Sequence, residues 1–407
     1  MKLSIASTLG VLFAIASAQD LQPGDVINGT VVSIPYEWTY LLPSFEGQLS
    51  YSFANGTTTT NASYNDLLRQ ASQAPFISYD DEFLDLLGPS PQITFVERRP
   101  EDQPFAYEGG VWIPEKNFMW FTSAVSFGPT HFEQLNLTDN TVSNITTTGF
   151  EFKNPNGGYY FNGSVYWATF RDPEDYTGGV VKVDVNTLEA ELLLNNYFGL
   201  RFDDLDDFAF VTQNDTGNTF IYITNLPYAQ AAYPNISHGQ LTNAVWRWDV
   251  QNKILLPVID AGDIPAPNGV RSTLDGKTLY VTNFGGQQIT GRGDIANFSS
   301  PAVYKYDIDS EGFPINKRVF SYTRQGGADG IHVDDAGRVW TGEGEGIVVR
   351  NPSGKVIGVF NNEFFNPERP LELPMANCGI AGDEVVVLGT NYLWRVKLAR
   401  TVATVMN

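Results

Sequence analysis

Short segments in which apolar and polar residues alternate follow one another along most of the chain. Three of these segments share one pattern, an alternating strand that ends in Asp, then a short polar turn and a second apolar strand. The alternating strands of these three segments are residues 180–185, 244–250 and 302–308. Alternation with a period of two is typical of a half-buried β-strand, and a polar turn between two such strands predicts a hairpin.

The hairpin pattern recurs as a long repeat. Looser copies end at Asn136, Asn351 and Lys397, which spaces six copies 44 to 65 residues apart. A second element, a polar residue with Gly, an alternating strand and an aromatic-rich strand, occupies residues 109–122, 268–282 and 329–341. Four short strands in a unit of about 40–50 residues are typical of a β-propeller blade. The sequence therefore predicts an all-β fold, a six-bladed β-propeller.

The N-terminal part of the chain does not fit the repeat. Residues 19–90 are rich in Pro, Thr, Asn and aromatic residues, and we expect them to form an extension packed on the outside. Residues 91–407 are predicted to form the propeller. The stretch 91–97 is expected to supply a strand to the last blade, so that the ring closes without an open sheet edge.

The first eighteen residues are typical of a secretory signal peptide. Lys2 precedes an apolar run over residues 3–16, and Ala16-Ser17-Ala18 has the small-residue pattern of a cleavage site. We expect a secreted product without a membrane span, because no other apolar run reaches about 18 residues.

Nine Asn-x-Ser/Thr sequons support a eukaryotic secretory route and a glycoprotein. They lie at Asn28, Asn55, Asn61, Asn136, Asn144, Asn162, Asn214, Asn235 and Asn297.

The charge balance narrows the range of partners. The chain has 25 Lys and Arg residues against 46 Asp and Glu residues, a net charge of −21 at pH 7. Nucleic-acid-binding proteins need basic surfaces that displace counterions, so neutral or cationic partners are favoured.

The single cysteine, Cys378, rules out an intramolecular disulfide and is expected to be a small buried apolar residue.

Polar residues at the start of several innermost strands are the candidates for chemistry. Equivalent positions of all blades lie at one height around a central channel, so Glu108, Asp206, Asp207, Asn268 and Asp329 are expected to converge. Carboxylate and amide oxygens without His or Cys suit Ca²⁺. Taken singly, an Asn-Gly or Asp-Gly pair is more typical of a turn. Four such positions in register favour a cation site.

The same segments resemble the regucalcin/gluconolactonase family. The resemblance rests on residues 108–112, 267–282, 329–340 and 377–396, and it is greatest to the fungal secreted lactonohydrolases. It implies a six-bladed propeller that holds a divalent cation, usually Ca²⁺, in its channel and hydrolyses sugar lactones or other small lactones. Carried over residue by residue, it implies that Glu108, Asn268 and Asp329 bind the metal.

One stretch departs from the family pattern. Many members have Asn-Asp after an Arg-containing stretch, whereas here Asp206 replaces the expected Asn and Asp207 keeps the acidic position. The resemblance implies that Arg201 and Asp206 bind substrate, and the carboxylates of Asp207 and Asp329 are the expected proton acceptors. Asn225 stands where relatives often have Asp.

The favoured function is a secreted, metal-dependent hydrolase that acts as a monomer on a small lactone. The metal would polarise the carbonyl group and lower the pKa of a water molecule, and a carboxylate would take the proton. Two alternatives stay open: arylester or phosphotriester hydrolysis by the same site, and a non-catalytic propeller that binds a small ligand or a partner protein. A serine hydrolase is disfavoured because no Gly-x-Ser-x-Gly motif accompanies the three histidines.

Overall fold

A computed structural model gives the fold of the chain. It describes residues 21–48, 52–128, 130–174, 178–213, 216–237, 239–284, 300–368 and 373–404. The predicted signal peptide and the sequons at Asn214 and Asn297 lie outside these residues. Within them strands predominate, and no helix there combines the length and the apolar character that a membrane crossing requires.

Residues 21–98 form short strands and helices. In chain order they are β1 (Val26–Asn28), β2 (Val31–Ser33), the 3₁₀ helix Tyr36–Thr39, β3 (Phe45–Gly47), α1 (Phe53–Gly56), β4 (Thr57–Thr59), α2 (Ala62–Gln73), β5 (Phe76–Ser78), α3 (Asp81–Leu87) and β6 (Gln92–Arg98). Side chains cap the two longer helices, as N-cap residues commonly do. Asn61 Oδ1 accepts a hydrogen bond from Ser63 N at 3.0 Å, and Asp80 Oδ1 accepts one from Glu82 N at 2.9 Å.

The first three blades follow. Blade 1 contains β7 (Glu108–Ile113), β8 (Phe118–Thr122), the 3₁₀ helix Val125–Phe127, β9 (Phe132–Asn136) and β10 (Val142–Asn144). Blade 2 contains β11 (Thr148–Gly149), β12 (Pro155–Phe161), β13 (Ser164–Thr169), β14 (Gly179–Asp184) and β15 (Glu189–Leu194). After a small hairpin of β16 (Asn196–Tyr197) and β17 (Leu200–Arg201), blade 3 contains β18 (Asp204–Thr212), β19 (Thr219–Leu226), α4 (Ala229–Ala232), β20 (Ala244–Asp249) and β21 (Ile254–Asp260).

The last three blades complete the ring. Blade 4 contains β22 (Pro267–Ser272), β23 (Thr278–Asn283), β24 (Ala302–Ile308) and β25 (Pro314–Tyr322). Blade 5 contains β26 (Ile331–Val333), β27 (Val339–Glu343), β28 (Gly346–Arg350) and β29 (Val356–Asn361), followed by α5 (Asn362–Phe365). Blade 6 contains β30 (Cys378–Gly389) and β31 (Tyr392–Val402), joined by β6 and β1. The predicted six-bladed β-propeller is confirmed.

In two of the three marker strands that end in Asp, this residue starts a turn. Asp184 Oδ1 accepts hydrogen bonds from the backbone N–H groups of Asn186 and Thr187, each at 2.8 Å. Asp249 Oδ1 accepts one from Asn252 N at 3.0 Å in the same way. Asp favours turns because its side chain bonds to backbone groups two or three residues ahead. The Asp that made the repeat visible in the sequence is therefore a structural residue.

The innermost strands pack against one another around the channel. β7 lies beside β12, β12 beside β18, β18 beside β22, β22 beside β26, and β30 beside β7. Glycine permits this close approach at two places. A Cβ atom at Gly157 would overlap the carbonyl oxygen of Asp206, and one at Gly330 would overlap the side chain of Asn377. These glycines each follow a polar residue, so they bring polar side chains of adjacent blades together.

The two ends of the described chain close the ring in blade 6. β6 pairs antiparallel with β31, and β1 pairs antiparallel with β6. Residues 91–97 thus supply the closing strand that was predicted. Aromatic packing supports the seam, with the rings of Phe95 and Trp394 centred 5.0 Å apart and Tyr392 stacked on Trp394 at 5.9 Å.

The N-terminal extension does more than cover the outside, which differs from the expectation. β5 pairs antiparallel with β29, and β2 pairs parallel with β5, so the extension widens blade 5 to six strands. The outer edge of a blade exposes unpaired backbone groups, and an added strand satisfies them. Each of these strands is only three residues long, too short to show alternation in the sequence.

Candidate active site

Each blade contributes a buried polar residue that lies within two residues of the start of its innermost strand. The exposed fractions of these residues range from 1% for Asn268 to 6% for Asn156. In blade order the six are Glu108, Asn156, Asp206, Asn268, Asp329 and Asn377. Their side chains contact one another across the blades, as the following contacts show.

β-Bulges give these side chains their direction. The register between the innermost and second strands shifts at residues 109–111 in blade 1, 155–158 in blade 2, 205–208 in blade 3 and 267–270 in blade 4. A bulge leaves a residue outside the regular ladder and changes where its side chain points. In all four blades the register shift falls at or beside the polar residue. The same local geometry therefore recurs at the equivalent position of each of these blades.

Three of the six residues are carboxyls whose charges interact. Burial, and then the charge of Asp329, raises the pKa of Glu108 well above its usual value. Burial also raises the pKa of Asp329, with Asp206 the largest neighbouring charge, and burial followed by Glu108 raises the pKa of Asp206. Three buried like charges oppose one another's ionisation. The carboxyl cluster, Glu108, Asp206 and Asp329, therefore requires a proton or a cation.

Amide side chains orient two of these carboxyls. Asn377 Nδ2 donates a hydrogen bond to Glu108 Oε2 at 3.0 Å, and Asn156 Nδ2 donates one to Asp206 Oδ1. Behind Asn377, His332 Nε2 lies 3.1 Å from Asn377 Oδ1, an atom that only accepts. Burial lowers the pKa of His332 to about 3, so the imidazole is neutral at pH 7. His332 thereby supports the amide that orients Glu108.

Asp207 has a different partner from its neighbour Asp206. Arg271 Nη2 lies 3.1 Å from Asp207 Oδ1, and Val270 N donates to Asp207 Oδ2 at 3.1 Å. Burial raises the pKa of Asp207, while the charge of Arg271 lowers it. Arg271 Nε also donates to Ile331 O at 2.9 Å, so the ion pair connects blades 3, 4 and 5. The carboxylate of Asp207 is thus held by Arg271, and the proton-accepting role expected for Asp207 stays a prediction.

Arg201, expected to bind substrate, lies in the hairpin of β16 and β17. Its carbonyl oxygen accepts hydrogen bonds from Gln240 N at 3.0 Å and Leu241 N at 3.2 Å. Within the described ranges its guanidinium forms no ion pair, and the structure does not bring it to the carboxyl cluster. Asn225 Nδ2 donates to Thr242 O at 3.0 Å.

The donor set suits a hard divalent cation. In the part of the chain that the structure describes, no three His, Cys, Asp or Glu side chains are grouped closely enough to hold a metal by themselves. The site instead offers the carboxyls of Glu108 and Asp329 together with the amide of Asn268. Asp329 Oδ2 is buried without a hydrogen-bond partner among the described groups, a costly condition that a cation would relieve. Carboxylate and amide oxygens are ligands that Ca²⁺ accepts readily.

Two tyrosines border the carboxyl cluster. Tyr107 directly precedes β7, and Tyr228 lies between β19 and α4. Burial raises the pKa of both phenols well above their usual value, and the charges of Glu108, Asp206 and Asp329 add to the effect. The two hydroxyl groups also interact with each other. Two buried or half-buried tyrosines thus lie within reach of the charges of the cluster.

Two other features lie outside this chemistry. A cavity of about 710 Å³ between blades 2 and 3 is lined by residues such as Tyr166, Lys182 and Trp248, with no carboxyl among its lining residues. Cys378 is buried, as expected, and burial raises the pKa of its thiol to about 12. Neither feature offers a base or a nucleophile near pH 7.

Asn156, Asn377 and the two tyrosines were not assigned a role from the sequence. A local signal exists for the amides, because Asn156-Gly157-Gly158 and Asn377-Cys378-Gly379 repeat the pattern of Glu108-Gly109-Gly110. Aligning every polar residue followed by Gly with the blade repeat would have found them. No comparable signal marks the tyrosines, which precede or follow strands in segments of differing length.

Known proteins match this chain in sequence and in fold. Residues 214–363 match the family model described as SMP-30/Gluconolactonase/LRE-like region. A gluconolactonase of Zymomonas mobilis is 25% identical over 307 residues, 71% of this chain and 78% of that protein. Lactonohydrolase oryL of Aspergillus oryzae is 24% identical over 363 residues, 83% of this chain and 78% of that protein. The structure of a gluconolactonase from Xanthomonas campestris gives a TM-score of 0.59 at 19% identity, covering 80% of this chain and 94% of that one.

These matches confirm the resemblance to the regucalcin/gluconolactonase family that the sequence motifs indicated. The relatives are named as gluconolactonase and lactonohydrolase, so lactone hydrolysis is supported at the level of the family. The structural match supports the propeller fold. The roles of individual residues in this chain follow from the contacts of the channel.

Proposed function

We propose that this protein is a secreted, cation-dependent hydrolase that opens small lactones. The observation that carries the proposal is the carboxyl cluster, three buried acidic groups gathered in the channel from three different blades. A propeller that only bound a neutral ligand would not need them, because buried like charges destabilise a fold. Hydrolysis of a cyclic ester does need groups that hold a cation and accept a proton.

Glu108, Asn268 and Asp329 are the residues proposed to hold the cation. When bound, a divalent cation supplies Lewis acidity toward a carbonyl oxygen and lowers the pKa of water. Asn377 keeps Glu108 in place, and His332 keeps Asn377 in place. Such outer partners fix the direction of a ligand and are needed for its affinity.

Asp206 is proposed to take the proton of the attacking water. Asn156 donates to Oδ1, which leaves Oδ2 as the atom that receives the proton. Water adds to the lactone carbonyl, the ring C–O bond breaks, and the same proton passes from Asp206 to the departing ring oxygen. The product is a hydroxy acid and the carboxylate is restored. The raised pKa of Asp206 suits it to both transfers.

Export through the secretory route is part of the proposal. It is supported by the signal-like pattern of residues 1–18 and by the exposure of sequon asparagines in the described ranges. Those exposed are Asn28, Asn55, Asn61, Asn144, Asn162 and Asn235. When the full chain is expressed in a yeast, the protein should be found in the culture medium and should begin at Gln19. It should migrate faster on a denaturing gel after enzymatic deglycosylation. An intracellular, unglycosylated product would contradict this part.

The activity is tested by titrating released acid at constant pH. The purified protein is given unsubstituted, alkyl-substituted and sugar lactones, with Ca²⁺ or with a chelator, and the uncatalysed rate is subtracted. We expect acid release that stops on chelation and returns with added cation. Absence of acid release from every lactone at saturating cation would overturn the proposal in favour of a binding protein, and release from aryl esters alone would change the substrate class.

A further inference from the structure

One side of the channel end is built of aromatic rings. Tyr228 stacks on Phe170, with ring centroids 5.6 Å apart and planes at 24°, and it meets Phe284 edge-on at 6.1 Å and 68°. Leu226 and Ala266 pack against Phe284. Phe170 is fully buried and Tyr228 is half-buried. This aromatic wall, Phe170, Tyr228 and Phe284, carries a single polar atom in its side chains, the Tyr228 hydroxyl.

A buried carboxylate fixes the wall relative to the site. Asp204 Oδ1 accepts a hydrogen bond from Arg171 N at 3.0 Å, and its Oδ2 accepts one from Ala229 N at 2.7 Å. Arg171 follows Phe170 and Ala229 follows Tyr228, so one side chain ties both aromatic segments to the start of β18. β18 is the strand that carries a carboxyl of the cluster. The stacked rings are thereby held in a fixed position rather than on an unsupported loop.

The wall also adjoins the carboxyl cluster and the cation residues. Leu226 pairs with Asp204, two residues before Asp206 in β18, so Tyr228 lies beside the strand that carries a carboxyl of the cluster. The charges of Asp329 and Asp206 act on the Tyr228 hydroxyl as well. Phe284 N donates to Ala266 O at 3.0 Å, two residues before Asn268. A molecule whose ester group lies at the cluster is therefore next to the half-buried ring of Tyr228, against which Phe284 packs edge-on.

We propose that Tyr228 and Phe284 select lactones that carry an apolar substituent, an alkyl chain or an aromatic ring, over polyhydroxylated sugar lactones. This inference rests on the proposed lactone hydrolysis and names its substrate class. A sugar lactone presents several hydroxyl groups, and a site that selects it must offer hydrogen-bond partners to them. The wall offers one hydroxyl, and that group already interacts with Tyr107. Burial of an apolar substituent on the wall should raise the affinity for the lactone about fourfold for each methylene group.

The test compares γ-butyrolactone, γ-hexalactone, γ-octalactone and γ-decalactone with glucono-δ-lactone. For the wild type we expect kcat/KM to rise along the alkyl series by about fourfold per methylene until the wall is covered, mainly through KM. Phe284→Ala should flatten this rise and leave γ-butyrolactone nearly unaffected. Tyr228→Phe keeps the ring and should keep the rise. Phe198→Ala is the matched control, since that ring is 90% exposed on the β16–β17 hairpin.

Three results would overturn the inference while the proposed function stands. They are a preference for glucono-δ-lactone, a flat alkyl series in the wild type, and an unchanged rise in Phe284→Ala. If no lactone is hydrolysed, the proposed function fails and the wall is tested by binding. Calorimetry with the matching γ-alkyl lactams, which resist hydrolysis, should then show affinity that grows with chain length and falls in Phe284→Ala. Absence of that trend would refute the wall as well.

Discussion

Asp206 and Asp207 are adjacent in sequence and have opposite surroundings. The register of β18 against β19 shifts between Leu205 and Phe208, so both aspartates lie in the irregular stretch. Asp206 turns toward Asn156 and the carboxyl cluster, whereas Asp207 turns toward Arg271 in the neighbouring blade. One bulge thus separates a group that can exchange protons from a group that holds blades together.

Matched substitutions of these two residues should have different effects. Asp206→Asn keeps the size of the side chain but cannot accept the proton, so we expect kcat at saturating Ca²⁺ to fall by about 10²–10⁴-fold. Asp207→Asn should instead lower the free energy of unfolding by about 3–5 kcal/mol, because it leaves Arg271 buried without its counter-charge. Steady-state kinetics and urea denaturation of both variants measure the two effects. Full activity in Asp206→Asn would move the proton acceptor to Asp329.

His332 should make the fold sensitive to acid. Its pKa is about 3 in the folded protein against 6.5 for the ordinary group, so between these values the unfolded chain binds more protons. Its contribution to stability is therefore complete above pH 6.5 and is lost as the pH falls toward 3, at up to about 1.4 kcal/mol per pH unit. His332→Gln retains a donor for Asn377 and removes the titration. Urea denaturation at pH 7.0, 5.5 and 4.5 should show a weaker pH dependence in this variant, and equal dependence would exclude His332 as the cause.

At the scale of the element, five blades carry a buried threonine at or near the end of the second strand, and in blades 1, 3 and 4 its hydroxyl bonds to residues at the channel. These residues are Thr122, Thr169, Thr224, Thr282 and Thr341. In blade 4, Thr282 Oγ1 accepts from Gly269 N at 2.7 Å and donates to Asp329 O at 3.0 Å. One hydroxyl thereby joins the innermost strand of its own blade to the polar residue of the next blade. The threonines of blades 1, 3 and 4 thus support residues at or beside the bulges that carry the site.

Removal of this hydroxyl should weaken both the fold and the site. Thr282→Val has nearly the same shape but leaves buried backbone groups of Gly269 and Asp329 unpaired, so we expect a loss of about 1–3 kcal/mol in stability. Thr282→Ser keeps the hydroxyl and should lose less. The comparison is made by urea denaturation, and cation affinity measured by calorimetry should fall in the same order. Equal stability of the Val and Ser variants would show that the hydroxyl is dispensable.

At the scale of the whole molecule, the channel brings acidic groups from three blades into one desolvated place. The ring of sheets, closed by β6, buries these groups, so the cluster needs a proton or a cation to offset their repulsion. The chain as a whole is also strongly acidic, with a net charge of −21, so a bound cation relieves repulsion at the cluster and reduces the total charge. Cation binding and stability should therefore be coupled.

Addition of Ca²⁺ should raise the melting temperature of protein from which a chelator has first removed divalent cations. Binding only to the folded state contributes roughly 2–4 kcal/mol at 100–1,000 times the dissociation constant. Differential scanning calorimetry across a Ca²⁺ series measures the shift. Asp329→Asn should abolish it, whereas Asp335→Asn, which removes one exposed charge, should preserve it. A shift that persists in Asp329→Asn would place the cation elsewhere.

The sequence by itself determined the number of blades and the closing strand, and it predicted the residues that are proposed to hold the cation. Strand alternation and turn-forming Asp residues depend on neighbours within a few positions, and Glu108, Asn268 and Asp329 stand before glycines in register with that repeat. The added strands β2 and β5 were not evident, because a three-residue strand is stabilised by the edge it pairs with and not by its own pattern.

Only the tertiary structure decided which polar residues act together. It directed Asp206 to the cluster and Asp207 to Arg271, and it left Arg201 in a separate hairpin. It also placed Tyr228 beside the carboxyls, through loops that differ from blade to blade. The direction of a side chain at a bulge or in a loop depends on the blades that pack against it. That information arises when the ring closes and is absent from any local stretch of sequence.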